Sequence, residues 1–164
     1  MKRLIIVTGS SRGIGAAIAT EFNMLYQNDT HLVLIARDLS KLNEVEEKLV
    51  ASSGGNNKAT TIRTDFSVLT NVEAYYKLFK DNLPSEENLK NFDELICVYN
   101  HGTLEFGNIS LIAQESLRRK FEINLFSVWS MLGAINLLIP SEVIEKQFHV
   151  NITSGYAQKA VANW

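Results

Sequence analysis

Two stretches hold residue types at spacings that could do chemistry. Near the start, VTGSSRGIG (7–15) follows a short apolar run and opens a helix-compatible one. Glycines at a strand-to-helix turn let the backbone bend sharply and approach a pyrophosphate, and the helix N-terminus offers unpaired N–H groups and a positive dipole end. Gly9 is expected to make the tight turn, Gly13 to admit the phosphates, and Gly15 to let the helix pack on the strand. Ser10, Ser11, Arg12 and Ile14 complete the loop and join them as candidate nucleotide-binding residues. At the far end, NITS (151–154) closes another apolar run, the pattern of a strand that delivers a hydroxyl, Ser154, to a site.

The elements that must position these residues alternate along the chain. β-rich runs stand at 4–7, 31–36, 59–64, 93–99 and 148–153, and helical patterns fill the intervals, about 12–27, 39–50, 68–83 and 113–139. Runs that are continuously apolar rather than strictly alternating belong to strands buried on both faces. The reading is an α/β fold: a Rossmann-like, doubly wound parallel sheet with helices on both faces. At 164 residues the chain has room for one domain, 1–164.

Composition excludes several classes. The net charge is −2 and no basic cluster stands out, so no nucleic-acid partner is expected. The only cysteine, Cys97, lies in an apolar run, as a buried thiol in a reducing compartment would. The apolar stretch after Met1 is too short for a signal sequence, which leaves the cytoplasm as the default location. The uncharged segment 123–139 approaches the length of a membrane span, but Asn124, Ser127, Ser130 and Asn136 interrupt it. It reads instead as a helix buried on two sides, with no membrane partner. No metal-ligating cluster is expected.

The glycine spacing T-G-x-x-x-G-x-G resembles that of the short-chain dehydrogenase/reductase family, and other landmarks fall in the family's order. Asp65, with Phe66 beside it, follows the third strand, where the family's acidic residue faces the adenine. Asn100 and Gly102 match the second and last positions of the Asn-Asn-Ala-Gly motif; Tyr99 and His101 depart from its first Asn and its Ala. Asn124, in FEINLFS, matches the helix asparagine that holds a water for proton relay. Ser154 matches the serine that orients the substrate oxygen. The resemblance thus implies Ser154 and Asn124 as catalytic residues, and a loop histidine at 101 packed against the sheet end. A flavodoxin-like nucleotide module would fit the sheet but not Asn124 and Ser154.

The cofactor expected is NADPH. An NAD-preferring protein carries an acid at the end of the second strand to accept from the ribose hydroxyls. Here that strand ends in Ala36 and Arg37 follows, with Asp38 one position further. Arg12 and Arg37 would face a 2′-phosphate, whose oxygens suit a guanidinium fork.

GSSRGIG, LIARD, YNHGTL and the final Asn-Trp are similar to sepiapterin reductase and its carbonyl-reductase relatives in that family. This implies an NADPH-dependent carbonyl reductase, acting on a pterin or dicarbonyl in tetrahydrobiopterin synthesis, and a homodimer when full length. The family's proton-donating tyrosine stands thirteen residues past its serine, with a lysine four further on. Counted from Ser154, that tyrosine falls three positions past Trp164. Tyr156 is no substitute: it lies too near the serine, and Lys159 follows it at the wrong offset. The expectation is a C-terminally incomplete reductase, inactive alone. The alternative is a short product that binds nucleotide without turnover, as a dimerising or regulatory partner.

Overall fold

A computed structural model describes residues 1–69, 71–104 and 112–154. Strands β1 (Arg3–Thr8), β2 (Thr30–Ala36), β3 (Lys58–Arg63), β4 (Glu94–Tyr99) and β5 (Lys146–Asn151) form one sheet of order β3-β2-β1-β4-β5. Every pairing is parallel, with Ile5 beside both Leu32 and Ile96. The helices between them are α1 (Gly13–Leu25), α2 (Leu39–Ser52), α3 (Val72–Asn82), a single turn α4 (Glu86–Leu89), α5 (Gln114–Phe121) and α6 (Ser127–Leu138). The doubly wound parallel fold expected from the strand pattern is therefore present.

Alternation along the strands divides the core in two. Leu4, Ile6, Val33, Ile35, Cys97 and Tyr99 face Tyr75 and Phe79 of α3 and Met131, Ala134 and Ile135 of α6. Ile5, Val7, Leu32, Leu34, Ile96 and Val98 face Ala19 of α1 and Leu42 and Leu49 of α2. Burial on both faces explains why the central strands read as unbroken apolar runs. The α1–α2 layer is also pinned by a buried amide pair. Asn57 donates to Asn23 Oδ1 at 2.9 Å, and Asn23 donates to the Leu49 carbonyl at 2.9 Å.

Three local features depart from the sequence reading. The polar stretch after Pro84 contains α4, which the reading took as loop. The helix expected over about 113–139 is interrupted by a π-helical turn, Glu122–Phe126, between α5 and α6. The segment 123–139 is also not buried on two sides. Ser127, Ser130, Met131, Ala134 and Ile135 face inward, while Leu125, Phe126, Trp129 and Leu137 are exposed. The two serines that looked like interruptions of the apolar face belong to the buried side. Gly133 lets α6 approach α3, since a Cβ there would meet Val72 Cγ2 at 3.2 Å. By length and composition alone Gln114–Leu138 could cross a membrane; here its inner face packs on α3 and the sheet.

Among the described residues β5 is an edge strand of the sheet, as β3 is at the other side, and nearly every residue in β5 is exposed. It is tied at its start by Glu94, which accepts from Arg3 Nε at 2.8 Å and from Lys146 Nζ at 2.5 Å. Desolvation works to raise the Glu94 pKa, but bonds and charge from Lys146 and Arg3 outweigh it and hold the carboxyl below its ordinary range. A depressed folded pKa contributes stability above the unfolded pKa and loses it as pH falls through the folded value. Glu94→Gln should therefore cost about 1–3 kcal/mol at neutral pH. Denaturant titrations should show the gap between variant and wild type closing as the pH drops below the ordinary carboxylate range; a constant gap would show that the charge is not its source.

Candidate functional site

Strand order reverses direction at β1, whose neighbours β2 and β4 run on to opposite sides of the sheet. The connections leaving β1 and β4 therefore part, and a crevice opens above their C-terminal ends. It forms a groove of about 560 Å³ lined by the glycine loop, the ends of β2 and β3, the loop after β4, and Ile123.

The glycine loop forms the floor. Gly9 at φ 65° and Gly13 at φ 56° lie in the left-handed region, where a side chain is strained. Gly15 is required for a different reason: a Cβ there would lie 2.3 Å from the Gly9 carbonyl oxygen and 2.6 Å from Asn100 Nδ2. Above Gly13 nothing lies within 4 Å of where a Cβ would stand, so its backbone faces open groove. Arg12 occupies the N-cap position of α1 in extended conformation and gives no side-chain cap, and no acid stands in the first turn. The N–H groups and positive end of that helix are thus left for an anion.

The lining includes three cations, Arg12, Arg37 and Lys41. Asp38, the one acid at the end of β2, points its carboxylate at α2. It accepts from the Lys41 backbone N–H at 3.2 Å as N-cap and pairs with Lys41 Nζ at 3.6 Å. Lys41 was not expected from the sequence. The signal was available, because a residue three past an N-cap aspartate lies in the first helical turn beside it.

Asp65 lines the next part of the wall. Its Oδ1 accepts from the Ser67 backbone N–H at 2.9 Å and the Ser67 hydroxyl at 2.7 Å. The backbone N–H bond is the main reason its pKa lies below the usual range; the Ser67 hydroxyl, Arg37 and Arg119 add to it against partial desolvation. Phe66 is buried and stacks on the His101 ring, with centroids 3.7 Å apart.

Asn100 turns inward, its Nδ2 donating to the carbonyls of Thr8 at 3.3 Å and Gly9 at 3.4 Å. It holds the loop rather than offering its amide to the groove. Gly102 shows no steric demand, since a Cβ there would meet Asn124 Oδ1 at an ordinary 3.5 Å. Asn124, on the π-helical turn, spends both ends of its amide on one residue. Oδ1 accepts from Thr103 N–H at 2.8 Å and Nδ2 donates to the Thr103 carbonyl at 2.9 Å.

The groove thus brings together Gly9, Ser11, Arg12, Gly13, Ile14, Arg37, Asp65, Phe66, Asn100 and Gly102 of the expected nucleotide residues. Ser10 is fully buried, with no hydrogen-bond partner for its hydroxyl among the described residues, and it does not line the groove. Gly15 lies beneath the loop. Ser154 is exposed just past β5, beyond the Ile152 N–H that extends the pairing to the Tyr99 carbonyl at 3.0 Å, and it lies outside the groove lining. Tyr156, Lys159 and Trp164 lie outside the described residues.

His101 packs against the sheet end as expected, between Thr8, Phe66 and Ser127. Tyr99 is buried on the α3–α6 face, where its hydroxyl meets His149 Nδ1 at 3.0 Å.

Residues 3–164 match the family model of the short-chain dehydrogenases. An uncharacterised oxidoreductase of Listeria innocua is 29% identical over 156 residues, covering 94% of this chain and 56% of that protein. Elsinochrome reductase 1 of Elsinoe fawcettii is 31% identical over 122 residues, 74% of this chain and 41% of its own length. The chain spans about half the length of the curated relatives it matches. Among solved structures, a metagenomic short-chain oxidoreductase in complex with NADP superposes with a TM-score of 0.77 at 27% identity, over 98% of this chain and 66% of that one.

Gly15→Ala tests the floor of the groove. The added methyl must displace both the Gly9 carbonyl and Asn100 Nδ2, and overpacking of this kind costs roughly 1–3 kcal/mol. A thermal melt should show clear destabilisation. Gly102→Ala, which meets no such contact, should melt like wild type.

Proposed function

We propose that this chain, which belongs to the short-chain dehydrogenase family, forms the nucleotide-binding part of an NADP(H)-dependent oxidoreductase that interconverts a small carbonyl compound and its alcohol. One observation carries the reading. Three cations, Arg12, Arg37 and Lys41, line the groove, and the acid at the end of β2, Asp38, is committed to capping α2 and to Lys41 rather than to the groove.

The residues present fit the cofactor. Open space above Gly13 and the uncapped start of α1 suit a pyrophosphate, and the three cations suit a 2′-phosphate. Asp65, held ionised by Ser67, suits the amino edge of an adenine. When bound, the nicotinamide supplies or takes the hydride. The protein's part is to hold that ring against the substrate, which in this reading is oriented by the Ser154 hydroxyl. The side chain of Asn124 acts by fixing the Thr103 backbone, so any water it holds for proton relay would be held by main-chain groups of the π turn. No described residue is assigned the proton donation, and the chain by itself is proposed to bind NADPH without efficient turnover. A pterin substrate finds no support in the names of the relatives above, and the proposal stops at the carbonyl class.

Self-association is part of the same reading. Leu117, Phe121, Leu125 and Trp129 recur at every fourth residue and form an exposed apolar stripe along α5, the π turn and α6. A second copy of the chain is the proposed occupant, giving a homodimer. Light scattering should show a dimer for wild type and a monomer for Leu125→Glu with Trp129→Glu; a wild-type monomer would remove this part of the proposal.

Cofactor preference is the central test. A charge-assisted contact contributes about 1.5–3 kcal/mol before desolvation, and ~1.4 kcal/mol is a tenfold change in affinity. Wild type should bind NADPH roughly a hundredfold more tightly than NADH. Arg12→Ala with Arg37→Ala should remove most of that ratio, and Lys41→Ala a smaller part, while NADH affinity changes little. Equal affinities in the wild type would overturn the reading.

A further inference from the structure

His101 stands where the resembling motif has alanine, and its ring occupies a socket built from three segments. One face stacks on Phe66 at 3.7 Å between centroids with the planes 18° apart. Nδ1 lies 2.7 Å from Thr8 Oγ1 at the end of β1, and Nε2 lies 2.7 Å from Ser127 Oγ at the start of α6.

The neighbours fix the protons. The Ser127 hydroxyl donates to the Ile123 carbonyl at 2.7 Å, so Ser127 Oγ can only accept from the ring and Nε2 carries the hydrogen. The Thr8 oxygen already accepts the N–H groups of Asn100 at 2.9 Å and His101 at 3.2 Å, so its hydroxyl must donate; of its two acceptors, Nδ1 at 2.7 Å is closer than the Val98 carbonyl at 3.3 Å, and Nδ1 accepts. One neutral tautomer satisfies every polar atom of the ring. Burial favours that form, pushing the pKa down to about 4. With both nitrogens engaged by protein groups, neither is free for acid–base work on a substrate.

Following the bonds outward shows what the ring connects. The Ser127 backbone N–H bonds to the Glu122 carbonyl, closing the π turn, and the Ile123 carbonyl takes the Ser127 hydroxyl. Asn124 is the next residue, and its amide clamps the Thr103 backbone. The path therefore runs from the glycine-loop strand through Thr8, His101, Ser127 and the π turn to Asn124 and Thr103. Single-turn π bulges are marginal structures that persist where something holds them. Here the imidazole ties the turn to the sheet.

We propose that His101 is a positioning residue, a neutral imidazole that locks the π turn carrying Asn124, and through it the Thr103 backbone, to the end of β1. Its importance for the reaction rests on the function proposed above, but the lock itself does not. Nuclear magnetic resonance of the chain with isotope-labelled histidine, alongside amide hydrogen exchange, tests it. The ring nitrogens should report the neutral Nε2–H tautomer at neutral pH. His101→Phe keeps the stack on Phe66 but loses both hydrogen bonds, and Ser127→Ala keeps the ring but breaks the path. Each should speed exchange of the Thr103 N–H about tenfold, the equivalent of losing roughly 1.4 kcal/mol of protection, while amides of β1 and β2 keep wild-type rates. The Nδ1–H tautomer, Thr103 exchange unchanged in both variants, or exchange faster uniformly across the sheet would each overturn the proposal. NADPH titration of the same wild-type sample separates the two ideas. Failure to bind would end the functional reading, and the tautomer and exchange results would still decide the role of His101.

Discussion

Thr8 marks the point on which the site depends. It ends β1, the central strand of the sheet, and its hydroxyl oxygen gathers two backbone N–H groups from the strand end opposite and meets the His101 ring. Beyond it, the chain turns through left-handed Gly9 away from β4. Because β1 and β4 are held in register up to Val7 and Val98, the glycine loop and the loop after β4 begin side by side, close enough for Asn100 Nδ2 to reach the Gly9 carbonyl. Gly15 is the steric consequence. The start of α1 can approach only if nothing projects between it and the Gly9 carbonyl.

Charge around the groove follows from how each acid is used. Asp38 is drawn into the first turn of α2, where four N–H groups lack helical partners. Asp65 is drawn into a turn with Ser67. Neither carboxylate bonds to an arginine side chain among the described contacts, although Asp38 pairs with Lys41 and the Arg37 charge acts on Asp65; Arg12 and Arg37 keep a field available to a phosphate. A single change at position 38 would thus act twice, on the helix cap and on the electrostatics of the groove.

Much of this was legible in the sequence because it depends on local rules. Continuous apolar runs gave the five strands, and the glycines marked a turn whose backbone requires them. What stayed hidden depends on tertiary placement. Ser127 and Ser130 interrupt a hydrophobic pattern, so their burial could not be read from periodicity; Ser127 is buried because a histidine far away in the chain bonds to it. The π turn has no composition cue, since it adds one residue to a helical turn without changing residue types. Lys41 and the capping role of Asp38 were within reach of the sequence, and were missed because Asp38 was weighed only as a ribose partner.

The two halves of the site are held with unequal firmness. The nucleotide half sits on β1 and β4, buried on both faces and locked by Asn100, His101 and the Gly15 contact. The half of the proposed site that carries Ser154 follows β5, which among the described residues pairs with β4 alone. Phe148 and Val150 lie on the α1–α2 face beside Ile96 and Val98 and remain nearly half exposed. On the other face the Tyr99–His149 contact and the Gln147 amide, which donates to the carbonyls of Ile139 at 3.0 Å and Ile144 at 2.8 Å, tie the strand, and at its start the Glu94–Lys146 pair does so. A strand whose side chains are mostly exposed opens at lower free energy than the core strands. In the proposed function the Ser154 hydroxyl is carried just past this less firmly held strand, and packing on Phe148 and Val150 would help to set where it stands.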